Sequence, residues 1–536
     1  MKIFYQYFII LYLNYSILCK NNIAELEQKI DEARRLNPFI FGTKGCLFSG
    51  CQCPSEYSLT STISCNGQIY DHFKVEFPTR QNYNRSKINT LIVMNHNFYN
   101  LPPKIFKNLI IDNLIMTNNR FEKIFYHSFS DMTSLNSLEF IQNAFVDIEK
   151  DSFEPLYDKI KNLVFSGNSF KEPCIEKVKD SIKKFTNLTS LVIQNFNLDD
   201  TSEWFKLNSK SLTLLNLAKN NLRKFPYFLN ASMKTLNDLY LSSNRIGPKF
   251  DMNNLASLAD NLKVLDLSQN EIIDFLMSNG PHKIFGNLTK LDLSHNSLRT
   301  IYREYFQNMP RLVELNLSNN LIYQIDFEAF KSNPMIETLT LSFNRLNYLD
   351  DKLLNTLRNL NKLYVHTNHL DSMINITMMP YLEVLDISDQ KSDVFHIHDY
   401  SFDRDEPKTK LSVSLIGTPL KRLELGDKAF CSKNSNKIIE YIEFTHYNLH
   451  KSNICYLLQL QNSTIDLFKK KRTEFTHDFS HNKVCNCYMI NQMQKKGIKF
   501  GKSCKIDMDK CVQDLFQQHH KLEFDLNCKN KENYEC

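Results

Sequence analysis

Residues 312–322, Leu-Val-Glu-Leu-Asn-Leu-Ser-Asn-Asn-Leu-Ile, carry an aliphatic residue at template positions 1, 4, 6 and 11 and asparagine at position 9. The template recurs about every 24 residues, so the 536-residue chain grows by repetition. Regular copies begin at Leu212, Leu236, Leu262, Leu288, Ile336 and Leu360. Weaker copies begin at Ile88, Ile111, Leu135, Ile160, Leu188, Leu382, Leu420 and Ile439, with a half-copy ending at Asn482.

The leucines at positions 4 and 6 alternate with polar residues, which predicts one short strand with one buried face in each repeat. A single repeat cannot bury its apolar face, so neighbouring repeats must stack. The expected fold class is an α/β solenoid, a horseshoe with a concave parallel β-sheet.

The asparagine at position 9 turns the chain away from the strand. Its amide both donates and accepts, so a stack of asparagines satisfies buried backbone groups. The asparagines concerned are Asn119, Asn143, Asn168, Asn220, Asn244, Asn270, Asn296, Asn320, Asn344 and Asn368. Ten residues further on, a recurring aromatic predicts a packed spine of Phe106, Phe129, Phe153, Phe306 and Phe330.

Cysteine clusters flank the repeats, where an open stack needs caps. Cys46, Cys51, Cys53 and Cys65 precede the first repeat, and Cys485, Cys487, Cys504 and Cys528 follow the last. With the repeat length, these clusters resemble the flanking modules of extracellular leucine-rich-repeat proteins of animals, such as chaoptin, Slit and the ectodomains of Toll-like receptors. Cys51-Gln52-Cys53-Pro54, Ile63-Ser64-Cys65-Asn66 and Leu101-Pro102 are in addition similar to arthropod proteins akin to the non-catalytic subunit of Oplophorus luciferase.

The resemblance implies four disulfides, Cys46 with Cys53, Cys51 with Cys65, Cys485 with Cys504, and Cys487 with Cys528. The chain departs from the family pattern because no tryptophan follows Asn482 and because Cys511 and Cys536 are additional. We expect those two to pair, with Cys511 in place of Cys504 as the alternative. A bridge between Cys431 and Cys455 would leave Cys174 as the odd, buried thiol.

The N-terminal run from Ile3 to Leu18 follows Lys2 and precedes polar residues, as in a secretory signal peptide; a membrane anchor is the alternative. We expect a signal peptide over 1–19, an extension with a short helix over 20–45, and an N-terminal cap over 46–87. About 16 repeats over 88–482, irregular near 390–419 and 455–475, and a C-terminal cap over 483–536 complete the organisation. The expected location is extracellular, with no membrane span.

Export exposes Asn-x-Ser/Thr sequons to glycosylation. They occur at Asn84, Asn187, Asn230, Asn287, Asn316, Asn375 and Asn462.

Solvent-facing strand positions in successive repeats form a ladder on the expected concave sheet, in which aromatic and acidic groups could bind a partner. A solvated polar sheet face is the simpler interpretation. The candidate ligand-binding residues are Asp238, Tyr240, Asp266, Lys290, Asp292, Glu314, Thr340 and Tyr364.

The sequence offers little material for catalysis, cofactors or metals. It has 12 glycines, no G-x-S-x-G and no H-E-x-x-H. His396 and His398 would share one face if they lay on a strand, and could then bind a transition metal weakly, but a solvated loop is the favoured interpretation. The group of His477, His481, Cys485 and Cys487 is better explained by disulfides. We therefore expect no enzyme activity, cofactor or metal.

A net charge of +6 is too dilute to indicate nucleic acid. The favoured function is recognition of an extracellular protein ligand or receptor. The alternatives are a non-catalytic accessory subunit of an extracellular enzyme and a matrix component that binds acidic glycans through Lys469 to Arg472.

Overall fold

The computed structural model describes residues 62–66, 87–98, 100–101, 103–106, 109–130, 132, 134–199, 207–225, 233–276, 283–409 and 411–414, and the backbone of 51–52, 422–425, 442–445, 476–477 and 499–500. The expected signal peptide, the N-terminal extension and most of both cysteine-rich ends lie outside these residues. So do the sequons at Asn84, Asn230 and Asn462 and the basic tract from Lys469 to Arg472.

One long sheet, the main sheet, runs through the described part of the chain, and its strands lie side by side in chain order. They are parallel except for the first, which pairs antiparallel with the second. The strands are Cys51–Gln52, Thr62–Asn66, Lys87–Met94, Ile110–Thr117, Ser137–Ile141, Asn162–Ser166, Ser190–Gln194, Leu214–Asn216, Asp238–Tyr240, Val264–Asp266, Lys290–Asp292, Glu314–Asn316, Thr338–Thr340, Lys362–Tyr364, Val384–Asp386, Leu411–Ser414 and Ile442–Thr445.

The register follows the repeat template, because equivalent positions of adjacent repeats are paired. Leu265 lies opposite Leu291, and Leu291 lies opposite Leu315. These position 4 leucines are at most 1% exposed. One residue per repeat therefore builds a continuous buried row, as the alternation in the sequence predicts.

Short elements return the chain to the next strand. Paired short strands are Asn97–Phe98, Arg120–Phe121, Ala144–Phe145 and Ser169–Phe170 in one sheet, Lys249–Asp251 with Asp274–Leu276, Thr300–Ile301 with Gln324–Ile325, Val394–Ile397 with Arg422–Leu425, and Thr476–His477 with Lys499–Phe500. The helices of the described residues are the α-helices Cys174–Ile182 and Asp351–Leu354 and the 3-10 helices Glu154–Leu156 and Met252–Leu258. The structure is thus a parallel β-solenoid of stacked repeats, in which most of the described return segments are short strands and turns and few are helices.

The predicted phenylalanine spine is confirmed. Phe106 stacks on Phe129 with ring centroids 5.8 Å apart, and Phe129 stacks on Phe153 at 5.4 Å. Phe306 and Phe330 form the same contact at 5.9 Å. All five rings are at most 1% exposed, so they form part of the hydrophobic core under the return segments.

The predicted asparagine stack is also confirmed, and Asn296 illustrates its geometry. Its Oδ1 accepts the amide of Ile272 in the preceding repeat at 3.0 Å. Its Nδ2 donates to the carbonyls of Leu267 at 3.0 Å and of Leu293 and Ser294 at 3.1 Å. One side chain therefore joins two repeats and satisfies backbone groups that water cannot reach.

The segment near 390–419, expected to be irregular, contains regular strands. Leu411–Ser414 extends the main sheet beside Val384–Asp386. Arg422–Leu425, which follows the expected repeat start at Leu420, pairs instead with Val394–Ile397 in a separate small sheet. The template failed here because the strand at 411–414 begins after Lys410 and lacks an apolar residue at position 1.

At the N-terminal edge, Cys65 is buried and disulfide-bonded. The antiparallel register places the backbone of Cys51 opposite that of Cys65. The pairing of these two sulfurs, like the other expected disulfides, stays a prediction. Among the described residues, no helix has the length and apolar character needed to cross a membrane.

Candidate binding face of the main sheet

The structure brings the predicted ladder residues together on the solvent face of the main sheet. Tyr240 is paired with Asp266, Asp266 with Asp292, Thr340 with Tyr364, and Asn316 connects the two groups. All of these side chains are half-buried. The neighbouring row holds Asp238, Lys290 and Glu314.

A local hydrogen bond explains several of the acidic and amide residues in this ladder. The Oδ1 atom of Asp266 accepts the backbone amide of Ser268 at 2.9 Å and its hydroxyl at 2.6 Å. Asp292 accepts the amide of Ser294 at 2.8 Å, and Asp386 accepts that of Ser388 at 3.0 Å. An Asp or Asn two residues before a buried serine therefore caps the end of the strand, which is a structural task.

Asn316 performs the same task and also bridges two strands. Its Oδ1 accepts the amide of Ser318 at 3.1 Å and its hydroxyl at 2.8 Å. Its Nδ2 donates to Oδ2 of Asp292 at 2.9 Å. The Asn316-Leu317-Ser318 sequon thus coincides with the strand cap, so the repeat itself accounts for this motif.

Burial is the largest cause of the pKa shifts of two acidic residues on this face. Burial and then the charge of Asp292 raise the pKa of Asp266, partly offset by its hydrogen bonds from Ser268. Burial raises the pKa of Asp238, and Lys263 opposes this shift. Both carboxylates are therefore held in a less favourable environment than water.

Lys290 and Glu314 form an ion pair across adjacent strands, with Nζ and Oε2 2.8 Å apart. Both side chains are about half exposed, so the pair contributes little to stability and stays accessible to a partner.

Two tyrosines and a threonine replace the capping residue in three repeats of this row. Tyr240, Thr340 and Tyr364 occupy the position at which other repeats place the capping Asp or Asn. In the Thr340 repeat, the buried Oγ of Ser342 has no hydrogen-bond partner within the described residues. These three positions therefore depart from the capping pattern of the row.

Four sequons lie in the described residues. Asn187 and Asn375 are exposed, and Asn287 and Asn316 are half-buried. The Nδ2 of Asn287 donates to the carbonyl of Asp260 at 2.6 Å, and that of Asn375 to Asp351 at 3.2 Å. An amide nitrogen carries two hydrogens, so attachment of a glycan would still leave one donor.

His396 lies in the strand Val394–Ile397, so the favoured interpretation of a solvated loop is wrong for this residue. Its imidazole stacks on that of His398 with ring centroids 5.9 Å apart. Within the described residues no group of three His, Cys, Asp or Glu side chains could hold a metal. Cys174 is free and buried at the start of an α-helix, as predicted.

Sequence reasoning missed Phe343 and His366 at the edge of this face. Phe343 is 48% exposed, and its ring meets that of His366 edge-on at 5.0 Å. In the sequence, both residues depart from the repeat template, and this departure could have identified them. Position 8 is otherwise polar or glycine in the described repeats, and position 7 is otherwise serine or alanine from Ala218 to Ser388.

The parallel solenoid, the asparagine stack and the repeat length define the leucine-rich-repeat fold. The leucine-rich repeat family matches residues 286–346 and 310–370. The chain is also similar to a protein named transforming growth factor beta activator LRRC33 from Danio rerio, with 26% identity over 313 residues. That match covers 52% of this chain and 44% of the relative, so the chain spans less than half of the relative's length.

Solved structures with similar chains include a leucine-rich-repeat protein of Leptospira interrogans and Toll in its complex with Spatzle from Drosophila. The first has 22% identity, covers 56% of this chain and 84% of its own, and gives a TM-score of 0.44. The second has 18% identity, covers 71% of this chain and 47% of its own, and gives a TM-score of 0.45. The similarity to a luciferase subunit stays a prediction.

Proposed function

We propose that this chain is an extracellular recognition protein that binds a protein partner through the solvent face of the main sheet. One observation carries the proposal. Strand capping accounts for Asp266, Asp292 and Asn316. Tyr240 and Tyr364 instead place a half-buried aromatic ring at the equivalent position of the same solvent-facing row. Tyrosine is enriched in interfaces because it combines a large apolar ring with a polar tip.

The relative from Danio rerio supports the same class of function, since its name describes an activator of transforming growth factor beta. By analogy we propose binding of an extracellular protein. Secretion through the segment 1–19, disulfide caps at both ends and glycosylation at several sequons belong to this proposal.

The decisive test is affinity purification of the tagged, secreted protein from its native extracellular fluid, followed by mass spectrometry. A receptor or adhesion protein at near-stoichiometric amounts supports the proposal. A co-purifying enzyme would instead favour the accessory-subunit alternative. Recovery of the chain alone, together with no saturable binding to extracellular proteins or cell surfaces, contradicts it.

Single substitutions then test whether the partner contacts the main sheet. Tyr240→Ala and Tyr364→Ala should each weaken capture of the recovered partner by about tenfold, as expected for an aromatic anchor. Ile284→Ala is the matched control, because Ile284 is 60% exposed and lies before its strand begins. Equal loss in all three variants would contradict binding through the main sheet.

The glycan-binding alternative rests on Lys469 to Arg472, which lie outside the described residues. Retention on heparin that survives neutralisation of these four residues would exclude that tract as the site.

A further inference from the structure

A flank of the solenoid beside the main sheet carries exposed aromatic and basic side chains. It belongs to the repeats that begin at Leu312, Ile336, Leu360 and Leu382. We call it the Phe343 face and define it as Tyr323, Phe343, Arg345, Tyr348, His366, His369 and Lys391. Tyr323 is 53% exposed and Tyr348 is 65% exposed, so both rings meet solvent in the described structure.

Backbone hydrogen bonds between repeats make this face contiguous. The amide of Arg345 donates to the carbonyl of Ile322, next to Tyr323, at 2.8 Å. The amide of His369 donates to the carbonyl of Leu346 at 2.9 Å, and that of Phe343 to His366 at 3.0 Å. The amide of Lys391 donates to the carbonyl of Asn368 at 2.8 Å, so the four repeats present one surface.

The backbone conformation at position 343 does not favour phenylalanine. Its φ is +56°, in the left-handed region that large side chains rarely adopt. The repeat imposes this conformation at every described position 8, where Asn319 and Gln269 have φ of +54° and +53°. After glycine, asparagine is the residue type that adopts this conformation most readily, yet a half-exposed aromatic residue occupies the position here.

His366 is a second departure from the template. Position 7 holds small buried residues such as Ser318, Ser342 and Ser388 in neighbouring repeats. His366 is half-buried there, and its ring supports the edge of Phe343. Two adjacent exceptions to the repeat thus contact each other at one place, which repeat geometry alone does not require.

The basic side chains make the electrostatic potential of the Phe343 face positive. Burial lowers the pKa of His369, and the charges of Lys391 and Arg345 lower it further, so the potential at this imidazole is positive. Arg345 and Lys391 are exposed and have no ion-pair partner within the described residues. Asp371 and Asp389 stand at neighbouring template positions and border the face.

The described sequons leave this flank free. Asn187 and Asn287 stand one residue before template position 1, and Asn316 lies on the main sheet. Asn375 follows in the return segment after Leu370. None of them falls at template positions 7 to 13, which form the Phe343 face.

From these observations we infer that the Phe343 face is a docking site for an acidic segment of a partner polypeptide that also carries aromatic side chains. Carboxylates of the segment pair with Arg345 and Lys391, and its rings pack on Phe343 and Tyr348. Aromatic and arginine side chains are the typical anchors of protein interfaces. The inference rests on the proposed function and names a second part of its binding surface.

The test uses the full secreted chain and a random copolymer of glutamate and tyrosine as the probe, measured by biolayer interferometry. Saturable binding is expected for the wild type, with little for a copolymer of lysine and tyrosine. Phe343→Asn and Arg345→Glu should each weaken binding by about tenfold or more. Phe343→Asn should leave the melting temperature unchanged or higher, because asparagine tolerates the left-handed backbone.

Arg245→Glu is the matched control, since Arg245 is exposed at the same template position in a repeat outside the face. It should retain wild-type binding. Equal loss with Arg245→Glu would mean that net charge alone attracts the probe and would overturn the inference. Absence of saturable wild-type binding, unchanged binding by Phe343→Asn, or a lower melting temperature of that variant would overturn it as well.

Failure of this inference is distinguishable from failure of the proposed function. If the wild type captures a partner from extracellular fluid and both face variants capture it equally, the inference fails and the proposed function stands. If the wild type captures no protein, the proposed function fails, and the copolymer measurement decides the docking site independently.

Discussion

Asp266 and Asp292 lie opposite each other on adjacent strands of the main sheet, and the charge of Asp292 adds to burial in raising the pKa of Asp266. Each carboxylate caps its own strand by accepting the amide of the serine two residues later. The repeat thus gains a strand cap but places two like charges across the pair, which is unfavourable when both are ionised.

Asp266→Asn should therefore stabilise the protein at neutral pH. Asparagine keeps the cap, as Asn316 shows with Ser318, and removes the repulsion. The folded pKa of Asp266 lies above its unfolded value, so its contribution to stability is complete below the unfolded pKa and is lost as pH rises through the folded one. The variant should gain on the order of 0.5–1 kcal/mol at pH 7, shrinking to nothing below about pH 4.

Denaturant unfolding at a series of pH values measures this effect. Asp386→Asn is the control, because Asp386 forms the same cap with Ser388 and has Tyr364 and Ser414 as its strand neighbours. A gain in Asp266→Asn that does not change with pH would contradict the electrostatic explanation.

Asn296→Ala should cost about 2–4 kcal/mol of unfolding free energy. It leaves the amide of Ile272 buried without its side-chain partner. It also removes one of the two asparagine donors to the carbonyl of Leu267, which keeps only the donor from Asn270. Asn296→Gln should recover part of this loss, because Gln390 fills the equivalent position and bonds to Leu370 and Val365 at 2.9 Å.

Thermal and denaturant unfolding compare the two variants with Asn347→Ala, a surface change expected to stay within about 0.5 kcal/mol. If the Gln variant is as unstable as the Ala variant, the side-chain hydrogen bonds are not the source of the effect.

The asparagine stack and the phenylalanine spine were predictable because each is set by one residue type at one template position. The strand caps were missed, although Asp266-x-Ser268 and Asp292-x-Ser294 share a spacing that signals them. The return segments were not predictable, since their short strands form between neighbouring repeats rather than from their own sequence. Phe343 was missed because its significance lies in an exception to the repeat.

Gly247→Ala should destabilise the fold by about 1–3 kcal/mol through overpacking. A Cβ atom at Gly247 would lie 2.2 Å from the carbonyl oxygen of Glu271 and 2.6 Å from its carbon, both of them backbone atoms. Adjacent repeats would have to separate to admit the methyl group.

Gly286→Ala is the matched control, because a Cβ there has no neighbour within 4 Å. It should be neutral or slightly stabilising through the reduced entropy of the unfolded chain. Differential scanning calorimetry distinguishes the two, and equal melting temperatures for both variants would show that the repeats are not in contact at Gly247.

Cys174 should be inert to thiol reagents in the native protein. It is fully buried at the start of the helix Cys174–Ile182, and burial raises the pKa of its thiol to about 12. The thiolate is the reactive species, so both access and ionisation oppose modification at pH 8. Reaction with Ellman's reagent should appear at this residue when denaturant unfolds the chain. Cys174→Ala supplies the background from other cysteines, and labelling of native Cys174 at the rate of a free thiol would show that the helix does not bury it.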